Sequence, residues 1–331
     1  MNKKSELGQF YTTNSDYILQ GMGIPSHTKL IEPFVGNGDL VDWSCRSDWE
    51  KFDIEPVGED VALQDTLMNP PDYNNKYVVT NPPYLASNKT KNQQVFEKWD
   101  QSDLYKCFIK SLIDGNIAGG IIIIPLNFLC DRDTKLREQF FTKYHINKIN
   151  IFEEQVFDDT DYTVCSIQFE KGPQHGAFPA TIYPSRTAVS IVLDSSTGWR
   201  IGGYLFKKFE AAYDLKRLIK DKPHNKFITG LKLRAIDGGS MENRIKLLAN
   251  QEPFYGKISD RTNATITTNI EIKNEQEIAD KFNETIEKLR TEYHSLFLTN
   301  YRMSSKHYAR KRISYTLAFN IIKMILEDKE L

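Results

Sequence analysis

The 331-residue chain is 40% hydrophobic and 26% charged, which excludes disorder throughout and suits one large domain or a core with an appendage. Its longest apolar run, at residues 121–126, is far shorter than the roughly 20 residues that span a bilayer. The polar start shows no secretory signal, so we expect a cytoplasmic protein without membrane contact. The cysteines lie far apart and the histidines form no ligand pair, which argues against a disulfide framework or a structural metal.

Charge is distributed unevenly, although the net charge is only −1. Residues 1–200 hold 19 Lys and Arg against 27 Asp and Glu, a net of −8, and residues 201–331 hold 24 against 17, a net of +7. A basic second part suits a polyanionic partner. The segment 301–312 (YRMSSKHYARKR) has five Lys or Arg and no acid, although such a run is also typical of a solvated helical face.

Strand-like apolar segments alternate with helix-like stretches through the first part of the chain. We predict strands at 29–34, 50–54, 76–80, 120–124, 146–152 and 164–169. This alternation predicts an α/β fold with a Rossmann-like, mostly parallel sheet and helices on both faces. Residues 153–162 are too few for a helical crossover, so the last two strands should form an antiparallel hairpin at one edge.

A linker is predicted at 171–179, between a first domain of residues 1–172 and a second domain of residues 180–331. After the linker the pattern changes to short β-like pieces at 181–183, 190–193 and 201–205. Two helices are predicted at 274–298 and 313–326; in the first of them, apolar residues recur every three or four positions. The second domain is therefore predicted to be α+β, with a helical C-terminal part.

Two glycines mark the turn after the first predicted strand. Gly36 and Gly38 are separated by one residue where the chain passes from strand to helix, which lets backbone N–H groups approach a ligand closely. A dinucleotide fingerprint would have a third glycine where Val41 stands. Asp53 and Asp65 follow at the next two strand-to-loop positions, where carboxylates can accept from ribose hydroxyls and an adenine amino group. Surface acids and an ordinary turn remain the alternative.

The tetrapeptide Asn81-Pro82-Pro83-Tyr84 is the most specific feature of the sequence. It directly follows a predicted strand, and its prolines end that strand and restrict the backbone beside the Asn81 amide. Rigid hydrogen-bond acceptors at the carboxyl edge of a sheet can serve catalysis. An isolated tetrapeptide of this kind would indicate a turn, but here the glycine and aspartate positions precede it in order.

Together these motifs resemble those of S-adenosylmethionine-dependent DNA amino-methyltransferases of the gamma arrangement, in which the recognition domain comes last. The resemblance covers about residues 5–170 and rests on 8–13 (GQFYTT), 32–38 (EPFVGNG), Asp53, Asp65 and the Asn81 tetrapeptide. It implies methyl transfer to N6 of adenine in double-stranded DNA, with S-adenosyl-L-methionine as cofactor and no metal. A cognate restriction endonuclease acting on the same site is an implied partner.

The resemblance also implies a cofactor site. Its residues are Tyr11, Thr12, Thr13, Glu32, Phe34, Gly36, Gly38, Asp53 and Asp65. The first three would close over the amino-acid end of the cofactor, and Glu32 with the glycine loop would bind its methionine portion. Asp53 would hold the ribose and Asp65 the adenine. Thr13 departs from the family, which usually has proline at that position.

The catalytic residues that the resemblance implies are Asn81, Pro82, Pro83 and Tyr84. The Asn81 side-chain oxygen and the Pro82 carbonyl would each accept one N–H of the target amino group, so that its lone pair points at the methyl group. A base inside a duplex cannot reach such a pocket, so the enzyme should flip it out. Tyr84 and Phe157 would stack on the flipped base, with Tyr162 as the rival of Phe157.

DNA contacts are expected in the basic second part. Side chains suited to base edges are Lys232, Arg234 and Arg261. Phosphate contacts are expected from Arg302, Lys306, Arg310, Lys311 and Arg312. Several alternatives stay open: an N4-cytosine DNA methyltransferase, a methyltransferase acting on guanine N2 in RNA or on a protein glutamine, and a DNA-binding specificity subunit without catalysis.

Overall fold

The structure is a computed structural model in which the chain forms two compact units that divide between Trp199 and Arg200. The residues that it describes are 8–131, 135–157, 160, 162–207, 209–238, 240, 243–303 and 309–328. Within this set, only the backbone is described for residues 300–303.

A nine-stranded sheet forms the centre of the first unit. Its strands are β1 Lys29–Glu32, β2 Trp49–Asp53, β3 Ala62–Leu63, β4 Lys76–Thr80, β5 Gly119–Pro125, β6 Tyr144–Phe152, β7 Val164–Lys171, β8 Ala177–Tyr183 and β9 Thr187–Val192. Their order in the sheet is β3-β2-β1-β4-β5-β7-β6-β8-β9. Strands β1 to β5 pair with one another in parallel, whereas β7 is antiparallel to both β5 and β6.

Burial explains the composition of the central strands. Every residue of β4 and β5 is buried, and β5 accordingly reads as a nearly continuous apolar run. A parallel strand that is covered on both faces has no polar face and so does not alternate. The predicted α/β fold with a mostly parallel sheet is confirmed.

Among the described residues, five α-helices accompany this sheet. They are α1 Ser15–Ile18, α2 Asp39–Ser44, α3 Gln94–Trp99, α4 Leu104–Asp114 and α5 Lys135–Lys143. The carbonyl oxygen of Ile18, in α1, accepts hydrogen bonds from Asn150 Nδ2 at 3.2 Å and Ser166 Oγ at 2.7 Å. These bonds tie α1 to strands β6 and β7, and α1 in turn anchors the segment that precedes it.

The edge of the sheet differs from the prediction in one respect. The predicted pair β6 and β7 is antiparallel, but the sheet continues beyond it through β8 and β9. The antiparallel hairpin at the edge is therefore β8–β9. The prediction of a linker at 171–179 is wrong for its last three residues, because β8 begins at Ala177. Pairing of β8 with β6 begins at Ala180, directly after Pro179. The first unit consequently extends to Trp199.

The second unit contains an antiparallel sheet, a hairpin and two helices. Its elements are β10 Leu215–Arg217, β11 Phe227–Arg234, β12 Lys246–Leu248, β13 Asn263–Thr268, α6 Glu275–Glu292, β14 Thr299–Met303, β15 Ala309–Arg312 and α7 Tyr315–Leu326. The sheet order is β10-β13-β11-β12, and β14 pairs with β15. Both predicted helices are present. The strand predicted at 201–205 is wrong, because Gly203–Phe206 forms a turn of 3-10 helix.

No helix within the described part of the chain is both long and apolar enough to cross a bilayer.

Candidate active site

Residues from all five predicted motifs line one cavity at the carboxyl ends of β1, β2 and β4. The predicted site residues among its lining are Tyr11, Thr12, Phe34, Gly36, Asp53, Asp65, Asn81 and Pro83. The carboxyl ends of neighbouring parallel strands meet at the same edge of a sheet, so motifs that are distant in sequence converge there. The prediction that these motifs form a single site is therefore consistent with where the structure places them.

Asp53 ties the glycine loop to the end of β2. Its Oδ2 accepts a hydrogen bond from Gly36 N at 2.8 Å, and its Oδ1 accepts one from Glu55 N at 2.8 Å. Gly36 has φ of +54°, and a Cβ at this position would lie 2.7 Å from the Tyr11 ring. Only glycine suits both this backbone conformation and this close approach. The Asp53 carboxylate thus fixes the loop and still has lone pairs for a ligand, since each oxygen can accept twice.

Glu32 lies behind the loop and does not line the cavity. It is 1% exposed, and its Oε1 accepts hydrogen bonds from Phe34 N at 3.0 Å and from the Thr80 hydroxyl. Burial raises the pKa of the Glu32 carboxyl to about 8, so this side chain is mostly protonated at neutral pH. It supports the turn at Phe34, and the structure gives it no direct path to the methionine portion of a cofactor.

The Asp65 carboxylate is partly exposed and can accept hydrogen bonds. Its Oδ1 accepts hydrogen bonds from Leu67 N at 3.1 Å and Met68 N at 3.0 Å, which fixes the carboxylate over the turn that follows β3. The side chain lines the cavity. Its Oδ2 has no partner among the described residues, and this oxygen is suited to accept from an amino group.

Hydrogen bonds fix the orientation of the Asn81 side-chain amide. Its Nδ2 donates to the Phe10 carbonyl at 2.7 Å and to Thr12 Oγ1 at 3.1 Å. Its Oδ1 accepts a hydrogen bond from the Tyr84 hydroxyl, which also lies 2.7 Å from the Ile123 carbonyl. The amide is therefore held on its nitrogen side by the segment that precedes α1, and its oxygen is the acceptor that remains for chemistry.

The aromatic side chains near Asn81 pack closely on one another, which leaves little ring surface for a base to stack on. Tyr84 is 2% exposed, with the Phe10 ring centroid 5.5 Å away and the Tyr162 ring 5.9 Å away at an interplanar angle of 73°. Phe157 is also 2% exposed, whereas Tyr162 is 39% exposed. Tyr162 is thus better placed than Phe157 to meet a base, and Phe157 belongs to the core.

Three further predicted residues do not line the cavity. Thr13 is exposed, Pro82 is buried, and Gly38 caps α2 in the left-handed region with φ of +91°. Sequence reasoning in turn missed several lining residues: Gln9, Phe10, Asp39, Thr90 and Asn92. Burial raises the pKa of the Asp39 carboxyl. The sequence contained a signal for Asp39, because the helix dipole favours an acidic residue in the first turn of a helix.

The predicted DNA-binding residues divide into two groups. Lys232 and Arg234 lie half-buried on β11, and Arg261 is exposed in the loop before β13. In β15, Lys311 is only 4% exposed and Arg310 Nε donates to the Asp237 carbonyl at 2.8 Å. Strand pairing and packing thus remove Lys311 from the set that a phosphate could reach. Arg312 is half-buried, the Arg302 side chain is not described, and Lys306 lies outside the described residues.

Comparison with known families identifies the central part of this site. Residues 47–157, about a third of the chain, match the family described as Eco57I restriction-modification methylase. The resemblance predicted from the motifs is confirmed. The match includes Asp53, Asp65 and the tetrapeptide at Asn81, and S-adenosylmethionine is the expected cofactor of such a domain. No curated protein sequence matches the chain.

Solved structures show distant similarity. A DrdV–DNA complex has 14% identity and a TM-score of 0.44 over 71% of this chain and 36% of that one. A methyltransferase subunit of a type I restriction-modification system from Streptococcus thermophilus has 13% identity and a TM-score of 0.38 over 57% and 51%. A protein from Listeria monocytogenes, described as a class I S-adenosylmethionine-dependent methyltransferase, has 14% identity and a TM-score of 0.38 over 52% and 62%. This chain thus spans less than two thirds of the length of each.

The cavity residues fit S-adenosylmethionine. Asp53 and Asp65 offer carboxylate oxygens suited to ribose hydroxyls and an adenine amino group. The missing Cβ of Gly36 makes room for the Tyr11 ring, which also lines the cavity. Phe34 supplies an apolar wall and is itself held by the Phe108 ring, with centroids 5.1 Å apart.

Replacing Glu32 should change how stability depends on pH. Between the ordinary carboxyl pKa near 4.5 and about 8, the unfolded chain releases this proton and the folded chain keeps it, so the free energy of unfolding falls as pH rises. Glu32→Gln mimics the protonated carboxyl at every pH. We expect the melting temperature of this variant to fall less than that of the parent between pH 5 and pH 8. The exposed substitution Glu138→Gln is the control, and identical pH profiles for Glu32→Gln and the parent would contradict the assignment.

Removing the Asp53 carboxylate should mainly weaken cofactor binding. Asp53→Ala deletes both the acceptor for the ribose and the hydrogen bond that holds the glycine loop at Gly36. Hydrogen bonds to charged groups contribute about 1.5 to 3 kcal/mol each, so the dissociation constant for S-adenosylmethionine should rise roughly ten- to hundredfold. Titration calorimetry measures this. Asp60→Ala, which removes an exposed carboxylate paired with Lys51, should leave the constant within about twofold.

Proposed function

We propose that this chain transfers the methyl group of S-adenosylmethionine to N6 of an adenine that is flipped out of double-stranded DNA. The observation that carries the proposal is the orientation of Asn81: its amide oxygen is turned away from the nitrogen-side contacts, in a cavity that Asp53 and Asp65 also line. An acceptor of fixed direction beside a cofactor site is what methylation of an amino group requires.

The target nitrogen needs reorientation more than deprotonation. Its lone pair is delocalised into the ring, so it is a poor nucleophile until its two N–H groups are drawn out of the ring plane. We assign one of them to Asn81 Oδ1 and the other to the backbone carbonyl of Pro82, a residue that does not itself line the cavity. Both bonds strengthen as positive charge builds on the nitrogen. When bound, S-adenosylmethionine supplies an activated methyl group. The proton then leaves to solvent, so no strong general base is required.

A flipped base also needs a surface to rest on. Extrusion costs a few kcal/mol, and stacking on an aromatic side chain returns about 1 to 3 kcal/mol per base. Tyr162 is the exposed member of the aromatic group around Tyr84. We therefore assign stacking to Tyr162 first, and to Tyr84 only after Phe10 or Tyr162 has moved away from its ring.

One face of the second unit's sheet is suited to a phosphate backbone. Arg234 on β11 stands directly opposite Lys246 on β12, and Lys232 lies on the same face two residues from Arg234. The remaining members of this face on β13 are Asn263, Thr265 and Thr267, and Arg234 Nη1 donates to Asn243 Oδ1 at 3.0 Å. Cations on neighbouring strands of one face suit an anionic partner, and double-stranded DNA is the polyanion that the proposed reaction requires.

The same unit exposes an aromatic side chain beside these cations. Phe254 is 37% exposed and lies under the Lys232 ammonium, 5.4 Å from ring centroid to nitrogen. Its backbone N–H donates to Thr265 Oγ1 at 2.8 Å, which fixes the loop to the sheet. The neighbouring Tyr255 is 55% exposed. Basic and aromatic side chains on one fixed surface favour nucleic acid over a purely ionic partner.

The decisive experiment incubates the protein with a duplex of random sequence and labelled S-adenosylmethionine. Nucleoside analysis of the product identifies the methylated base, and single-molecule mapping identifies the recognition site. N6-methyladenine would support the proposal. N4-methylcytosine would move the reaction to the alternative base, since both acceptors serve either amino group. Label on RNA or protein only, or no label at all, would refute DNA methylation. A recurring mapped sequence would also show which restriction endonuclease could share the site.

Replacing Asn81 by Ala should abolish methyl transfer while leaving cofactor binding nearly intact. The lost oxygen acts in the transition state, so the turnover rate should fall by about 100-fold or more. The rate under saturating cofactor and the calorimetric dissociation constant are measured together. Asn147→Ala, on β6, is the matched control. A turnover rate near that of the parent would remove the proposed role of Asn81.

Neutralising the cationic sheet face should weaken binding to all duplexes. In the triple variant Lys232→Gln, Arg234→Gln, Lys246→Gln, the salt slope of log K should fall by about 0.9 for each lost phosphate contact. Fluorescence anisotropy at several salt concentrations measures the slope. The control neutralises three exposed lysines around α6, namely Lys273, Lys281 and Lys288, and equal slopes for the two triple variants would exclude this face.

A further inference from the structure

The side chain of Asn81 is gripped on one side by a part of the chain that lies about 70 residues earlier. Both hydrogens of its Nδ2 are used, one by the Phe10 carbonyl at 2.7 Å and one by Thr12 Oγ1 at 3.1 Å. A backbone carbonyl can only accept a hydrogen bond. The NH₂ end of the amide must therefore face Phe10, and the oxygen must face away from it.

The oxygen side is occupied in a way that can be released. The Tyr84 hydroxyl donates to Asn81 Oδ1 and also lies 2.7 Å from the Ile123 carbonyl. A hydroxyl has one proton, so it can serve only one of these acceptors at a time. When another donor approaches Oδ1, the Tyr84 proton can turn to Ile123 without leaving a buried hydroxyl unpaired.

The gripping segment is itself fixed at both of its ends. The Gly8 carbonyl accepts from Tyr84 N at 2.9 Å. Gly8 has φ of +70°, and a Cβ there would lie 2.7 Å from the Tyr84 carbonyl oxygen. At the other end, the Tyr11 ring packs on the glycine loop at Gly36. Thr12 is 4% exposed, so its hydroxyl is not freely shared with solvent.

We propose that Thr12 is a positioning residue for methyl transfer: its hydroxyl, together with the Phe10 carbonyl, fixes the plane of the Asn81 amide so that Oδ1 is presented to the target amino group. Thr12 acts through Asn81 and need not touch the reacting nitrogen. The inference rests on the proposed function. It adds to that function a link between the segment over the cofactor and the catalytic amide, because residues 11 and 12 contact the glycine loop and Asn81 respectively.

The physical reason is the near symmetry of a carboxamide. Turning the Asn81 side chain about its last bond by 180° exchanges oxygen and NH₂ with little change in shape. In that orientation two donors would face each other at the target amino group, and no transfer could follow. Two hydrogen bonds on the nitrogen side oppose both this flip and smaller rotations of the amide plane. With Val at position 12, only the bond to Phe10 remains.

The test compares Thr12→Val, which keeps the shape and removes the hydroxyl, with Thr12→Ser, which keeps the hydroxyl. We expect Thr12→Val to lower the single-turnover rate at saturating cofactor about tenfold, the effect of leaving one buried N–H unpaired. The dissociation constant for S-adenosylmethionine should change by less than threefold, and Thr12→Ser should recover most of the rate. Thr142→Val, which removes an exposed hydroxyl bonded within α5, is the control for a threonine-to-valine change.

A second measurement does not depend on activity. In protein labelled with ¹⁵N-asparagine, the Asn81 side-chain NH₂ signals are identified by their loss in Asn81→Ala. Thr12→Val should shift these signals and speed their exchange with solvent, and Thr12→Ser should not. If Thr12→Val leaves both the signals and the rate unchanged, or weakens cofactor binding with an unchanged rate at saturation, the inference is refuted. If the parent protein methylates no nucleic acid while the signals respond as expected, the proposed function fails and the amide contact stands.

Discussion

The hydrogen bonds on the nitrogen side of the Asn81 amide are the constraint on which the candidate site depends. Asn81 directly follows a buried strand, and the prolines after it end the backbone pairing of that strand. The hydrogen-bond partners of its side chain lie elsewhere in the chain. Those partners come from the segment before α1. The same segment packs on the glycine loop through Tyr11, so the glycine loop and the Asn81 amide share one support.

Much of the first unit could be predicted from sequence, because its signals are local. The strand at residues 76–80 and the glycine turn are determined by residues that are close together in the sequence. The two aspartates and the tetrapeptide could be recognised from their order along the chain. The contact between Phe10 and Asn81 could not be predicted, since it joins residues 71 apart and uses a backbone carbonyl, which any residue supplies. The burial of Glu32 and Phe157 was also missed, because a motif match identifies residues without saying which way they face.

The second unit shows what a count of charged residues along the sequence can and cannot predict. The count located the basic half of the chain correctly but favoured the run near the C-terminus. Pairing of β14 with β15 leaves Lys311 buried, whereas the register of β11 with β12 sets Arg234 beside Lys246. Register decides which face each side chain occupies, and an irregularity between Ile228 and Lys232 shifts it along β11. No periodicity in the sequence reveals that shift.

The Tyr84 hydroxyl has two alternative hydrogen-bond acceptors at this site. Because it can donate either to Asn81 or to the Ile123 carbonyl, under the proposed function it would act as a placeholder for the nucleobase. The resting pocket keeps the Asn81 oxygen satisfied from within the protein, and an arriving amino group would exchange one donor for another. Vacancy and occupancy then differ by the rotation of a single O–H bond. Such a pocket can fill and empty repeatedly without rebuilding its walls.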